Sequence, residues 1–106
     1  MITKSEICAA LDSAIAKREM EVDEPRRAKN IGCALCNIFK GINCYTGKQH
    51  CPMEIVGGGC GSWGNWMNAE LNDDIDGMKL AAAVVRDELK ECKRKIESGE
   101  NQSFPE

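Results

Sequence analysis

With 106 residues and a net charge of −3, the chain has the size of one domain, and self-repulsion is too weak to keep it unfolded. Leu, Ile, Val and Phe number only twenty, close to the roughly 20% below which a core becomes hard to build, so the fold needs a staple that its seven cysteines can supply. No run approaches the roughly 18 apolar residues of a membrane span, because Arg, Asp, Glu and Lys interrupt every stretch.

The opening Met1-Ile2-Thr3-Lys4-Ser5-Glu6 lacks the basic start and apolar run of a secretory signal, so the chain is expected in the cytoplasm, where thiols stay reduced. Thr3-Lys4-Ser5-Glu6 matches a capping box, in which the Thr3 hydroxyl bonds the Glu6 amide and the Glu6 carboxylate reaches back to Thr3. It predicts a helix over residues 3–22. Ile7, Leu11, Ala14, Ile15 and Val22 recur near helical spacing, with Asp12, Lys17, Arg18 and Glu19 on the other side. Pro25 then disfavours helical geometry in Glu24.

Residues 31–61 sustain neither a helical nor a strand period and carry five cysteines, Pro52 and seven glycines. Short strands are expected at 37–42 or 54–56. A loop-rich segment of this kind buries too little to hold its own shape, so its cysteines must order it. Cys33-Ala34-Leu35-Cys36 has the C-x-x-C spacing that lets two thiolates in one turn grip one ion, and tetrahedral zinc takes four ligands. The preferred set is Cys33, Cys36, Cys51 and Cys60, because Pro52 and Gly61 shape the turns beside the second pair. Cys44 stands in reserve, and His50 is an alternative to Cys51. Iron–sulfur ligation and disulfides are the competing uses of the same cysteines. Cys8 and Cys92 read as small buried side chains instead.

Ser62 is a candidate N-cap for a short helix over residues 62–70, in which Trp63 and Trp66 share a face. The two indoles either cover the metal loops as core or form a partner-binding aromatic anchor. A long helix follows over residues 74–98. Leu71, Ile75, Met78, Ala82, Val85, Leu89, Cys92 and Ile96 are spaced alternately by four and three, an a/d seam. Asp73, Asp74 and Asp76 favour its N-terminal end, Lys93, Arg94 and Lys95 its C-terminal end, and Ser98-Gly99 stops it. The tail over residues 99–106 is expected to fray. Small Ala82 and soft Met78 and Cys92 suit a seam against the first helix better than an autonomous coiled coil, with a homodimer through this helix as the alternative. The expected fold is thus mainly α with a loop-rich, zinc-stapled centre: an N-terminal helix, a zinc-ribbon- or knuckle-like cysteine segment, a short helix, and a long C-terminal amphipathic helix packing on the first.

Several chemistries are disfavoured by what the motifs lack. A dithiol redox site needs Cys33-x-x-Cys36 in a βαβ context, and no strand pattern precedes it. The run Gly57-Gly58-Gly59-Cys60-Gly61 has no following Lys-Ser or Lys-Thr to cradle phosphate. His50 is the only histidine and has no orienting partner for a nucleophilic triad, while four cysteine ligands leave zinc no open position for hydrolysis. The expectation is a protein without enzymatic activity.

Charge is uneven: six basic and six acidic residues over 1–30, two and one over 31–68, and six and ten over 69–106. A nucleic-acid binder neutralises phosphate with a basic stripe, and here only Arg26, Arg27, Lys29, Lys40 and Lys48 supply one. A small nucleic-acid-binding or transcription-modulating zinc-ribbon-like protein is therefore the second reading, behind a protein-interaction factor that uses an acidic helical face or the tryptophans.

The run Cys33-Ala34-Leu35-Cys36-Asn37-Ile38-Phe39, then Cys44, Cys51-Pro52 and Cys60-Gly61, resembles small cysteine-rich proteins encoded by bacteriophages and prophages, over roughly residues 31–68. In that group the cysteine before proline often has a partner three residues earlier; here Cys44 is seven back. The resemblance implies an uncharacterised zinc-binding accessory protein of phage origin, directed at the bacterial host in whose cytoplasm it would act. It implies no reaction.

Overall fold

A computed structural model of the chain describes residues 2–24, 54–55, 59–60 and 63–106, and over these it is mainly helical. The order is α1 (Lys4–Asp23), β1 (Glu54–Ile55), β2 (Gly59–Cys60), α2 (Trp63–Leu71) and α3 (Ile75–Ser98). β1 and β2 pair antiparallel with Glu54 opposite Cys60 and Ile55 opposite Gly59. The expected strand at 37–42, and all the cysteine loops apart from the backbone of β1 and β2, lie outside the described residues.

Helix α1 begins at the expected cap. The Thr3 hydroxyl accepts from the Glu6 amide at 3.2 Å and donates to the Glu6 carboxylate at 3.1 Å, because one hydroxyl can do both. The helix closes with the Glu24 amide donating to the Met20 carbonyl, immediately before Pro25. Its buried stripe runs through Ile7, Leu11, Ala14, Arg18 and Glu21, alternating four and three. Arg18, expected on the solvent side, therefore occupies a seam position and is only 4% exposed. The reason is geometric: once Ile7 and Leu11 aim the helix, positions 18 and 21 project toward the same neighbour.

Helix α3 runs antiparallel to α1, as the pairs Asp12–Lys93 at 2.6 Å and Glu19–Lys90 at 3.6 Å show. Exposed pairs of this kind contribute about 0–1 kcal/mol each, so they set direction more than stability. The seam supplies the adhesion: Val85, Leu89 and Ile96 are buried against α1, and Met78 and Ala82 are buried in the cluster of Trp66. Asp74 caps α3 by accepting from the Gly77 amide at 3.0 Å, and Gly99, at φ 86°, ends it. Leu71, expected as the first seam residue, is 83% exposed. It closes α2, and Asp73 at φ 55° then turns the chain with its amide on the Glu70 carbonyl and that of Asp74 on the Ala69 carbonyl, so the register of Leu71 does not carry into α3.

The tail does not fray. Phe104 is buried in the cluster of Ile7, Leu11 and Ile96, the Lys4 amide donates to the Pro105 carbonyl at 2.6 Å, and the Asn101 amide donates to the Lys95 carbonyl at 3.0 Å. The polar composition of the last residues hides one aromatic side chain large enough to anchor them.

Candidate functional site

Two apolar clusters lie along α3. The first joins Ile7, Ala10, Leu11 and Ala14 of α1 to Val85, Leu89 and Ile96 of α3 and to Phe104. The second joins Trp66 and Ala69 of α2 to Met78, Ala81 and Ala82 of α3, with Val22 and Ile75 against it. Near the end of α1, Arg18 and Glu21 form a buried ion pair at 2.9 Å, with Lys17 at 3.9 Å from Glu21. Burial is the main reason the Glu21 carboxyl is raised from its usual value; Arg18 and Lys17 oppose the rise and Glu70 of α2 adds to it.

Of the four candidate zinc ligands, Cys33, Cys36 and Cys51 fall outside the described residues, as do Cys44 and His50. Cys60 is placed by its backbone in β2, opposite Glu54. Among the described residues no group of three or more His, Cys, Asp or Glu converges to hold a metal ion. Cys8 and Cys92 are partly buried against the first cluster. Desolvation is the leading cause that raises both thiols, with Glu97 adding to it at Cys8 and Lys95 opposing it at Cys92, which favours the neutral thiol over a thiolate ligand or nucleophile. Arg26, Arg27, Lys29, Lys40 and Lys48 also lie outside the described residues.

The tryptophan pair divides. Trp63 starts α2, with its side chain outside the described residues, whereas Trp66 is 4% exposed at the centre of the second cluster. An anchor for a partner must be accessible, so Trp66 is core. Its indole clusters with Ala69, Met78, Ala81 and Ala82.

An open groove of about 410 Å³ adjoins the α2–α3 contact, with Ala69 and Ala81 at its floor. One wall carries Asn65 and Asn68 of α2 with Asn72 just beyond its end, and the other Gly77, Leu80 and Val84 from α3. Leu80 is 68% exposed and Val84 42%. Neither can turn inward, because Ala81, Ala82 and Val85 already hold the buried side of the same helix. Asp76 lies one turn before Leu80 on this face, and Asp87 and Glu91 lie two and three turns after it. The carboxylate of Asp87 meets Arg86 at 3.2 Å, that of Glu91 meets Arg94 at 2.6 Å, and all three acidic residues are exposed.

Gly77 is needed where the groove meets the helix cap. A Cβ there would strike the Asp74 carboxylate and come within 3.3 Å of Ala69 Cβ, so a side chain would disturb both the cap and the α2–α3 contact. Sequence reasoning misses this groove because Leu80 and Val84 lie off the seam; their spacing of four, bracketed by acids of the same face, is the available signal. Among the described residues no helix is long and apolar enough to cross a membrane. No family model, curated protein or solved structure matches the chain.

Proposed function

We propose that this chain is a small non-enzymatic protein-interaction factor whose centre is stapled by a structural zinc ion on Cys33, Cys36, Cys51 and Cys60. In this reading it derives from a phage and acts on a bacterial host protein as an inhibitor or adaptor, in keeping with the resemblance of its cysteine run. The observation that carries the interaction reading is the outer face of α3, where Leu80 and Val84 stand exposed between Asp76 on one side and Asp87 and Glu91 on the other. Exposed apolar side chains contribute nothing to the helix pair beneath them, and their grouping beside a groove is the usual mark of a contact surface. The zinc reading is supported by the C-x-x-C pair and three further cysteines in a segment with few core formers.

Affinity capture from bacterial lysate tests the first part. A specific, saturable host protein is expected, and recovery of none overturns the reading. Elemental analysis tests the second: about one zinc per chain, with the ligand thiols reactive only after chelation, is the expected result. Absence of metal together with missing free thiols would replace zinc by disulfides.

A further inference from the structure

The acidic brackets on the outer face of α3 narrow the chemistry of the partner. From Asp76 to Glu91 the face spans about 22 Å at 1.5 Å per residue, four turns of helix, with its apolar part in the middle and carboxylates beyond each end. Between residues 63 and 91 seven acidic side chains stand against three basic ones. A second copy of the chain fits this face badly. Packed antiparallel about Leu80 and Val84, Asp76 of one copy would face Glu88 of the other and Asp73 would face Glu91, against one opposite-charge contact of Lys90 with Asp74; packed parallel, each acid would meet itself. Like charges so opposed disfavour self-association. A cationic partner gains at both ends.

The opposite wall points the same way. Asparagine is a weak helix former, yet two of the nine residues of α2, Asn65 and Asn68, are asparagines, and together with Asn72 just past its end they are exposed and line the groove. Their carboxamides offer donors and acceptors along the whole wall, and the Asn72 side chain already bonds the Asn68 carbonyl at 3.0 Å. Local helix preference is given up there without any gain in packing, a pattern that marks functional surfaces.

We infer that the α2–α3 groove docks an amphipathic helical segment of a partner protein, with apolar residues one turn apart seated on Leu80 and Val84 and Lys or Arg at both of its ends. The inference rests on the interaction reading above and gives the partner its chemistry. The apolar residues bury against Leu80 and Val84, the cationic ends meet Asp76 on one side and, in exchange for the exposed pairs with Arg86 and Arg94, Asp87 and Glu91 on the other, and the asparagine wall accepts the polar flank.

The test uses a capped peptide of about 16 residues, four turns of helix, with two central leucines one turn apart and paired lysines at each end. A second peptide carries glutamates in place of the lysines. Binding to the full chain is followed by fluorescence anisotropy and by amide shifts in NMR spectra. The lysine peptide is expected to bind with shifts centred on Asn68, Leu80 and Val84, to weaken about tenfold as salt rises from about 50 to 300 mM, and to lose binding with Leu80→Asp. The glutamate peptide is expected not to bind until Asp87→Lys and Glu91→Lys reverse the bracket. Equal binding of both peptides, binding of neither, or binding indifferent to Leu80→Asp overturns the inference. So does a concentration-dependent dimer in sedimentation that Leu80→Asp dissolves, which would seat a second copy there. A lysate partner retained by Leu80→Asp, with no peptide bound, sinks the groove and spares the interaction reading; peptide binding without any lysate partner sinks only the host-directed role.

Discussion

The two apolar clusters along α3 are built on opposite plans. Around α1 the contacts are shared among Ile7, Leu11, Val85, Leu89, Ile96 and Phe104, none of which dominates. Around α2 two large side chains, Trp66 and Met78, cluster with the small Ala69, Ala81 and Ala82. In the first cluster several branched side chains share the volume, whereas in the second the small alanines leave most of it to Trp66 and Met78. The second plan concentrates its apolar contact on fewer large side chains, and an open groove adjoins it at Ala69 and Ala81. The shortest of the described helices, α2, carries Asn65 and Asn68 of the groove.

The sharpest break in that comparison is Trp66→Ala. It should cost about 3–5 kcal/mol by removing most of the second cluster, measured by urea unfolding, with amide exchange protection lost in α2 first. A loss below about 1 kcal/mol would mean the alanine contacts alone hold α2. Next comes Phe104→Ala, expected to cost about 3 kcal/mol because the phenyl ring is 5% exposed within the first cluster. A change under about 0.5 kcal/mol, the usual size for a surface position, would restore the frayed tail.

Glu21→Gln probes the polar end of the same seam. At neutral pH the loss of the carboxylate 2.9 Å from buried Arg18 should cost about 2 kcal/mol, offset in part because Gln carries no charge to desolvate. It should also change the pH dependence. The Glu21 carboxyl is raised in the folded chain from its usual 4.5, so just above pH 4.5 the native state keeps a proton that the unfolded chain has released. That contribution favours folding at the acid end of the window and is lost as pH rises through the folded value. The substitution should flatten the slope, and an unaltered profile of unfolding free energy against pH would refute the burial effect. The smallest effect is expected from Leu80→Asp, within about 0.5 kcal/mol of the parent by thermal melting, because the side chain is 68% exposed and supports no cluster. A larger loss would make Leu80 part of the core and remove it from the docking face.

Local chemistry makes much of the scaffold legible in the order of residues. Thr3 with Glu6, Asp74 before Gly77, and Ser98-Gly99 mark helix ends through bonds that reach no farther than four residues, and the seam from Met78 to Ile96 follows from a period that a helix imposes on itself. Arg18 is the counterexample: its charge speaks for solvent while its position speaks for the seam, and position prevails because Glu21 lies beside it. Trp66 is ambiguous for a similar reason, since an indole serves equally as core or as anchor, and only the alanines of another helix decide which. For the candidate zinc ligands the cysteine spacing alone carries the proposal, with Cys60 fixed by its backbone pairing to Glu54.

By itself, then, the sequence determined which segments are helical, where α1 and α3 begin and end, which side of α3 turns inward, and the acidic character of its outer side. These follow from bonds and periods within single elements. Tertiary structure alone decided that Phe104 closes the first cluster, that Arg18 and Glu21 are buried together, that Leu71 faces outward after the turn at Asp73, and that Leu80 and Val84 border a groove rather than a core. Each of those outcomes depends on which surface of one element meets another far away in the chain, and no local period encodes that distance.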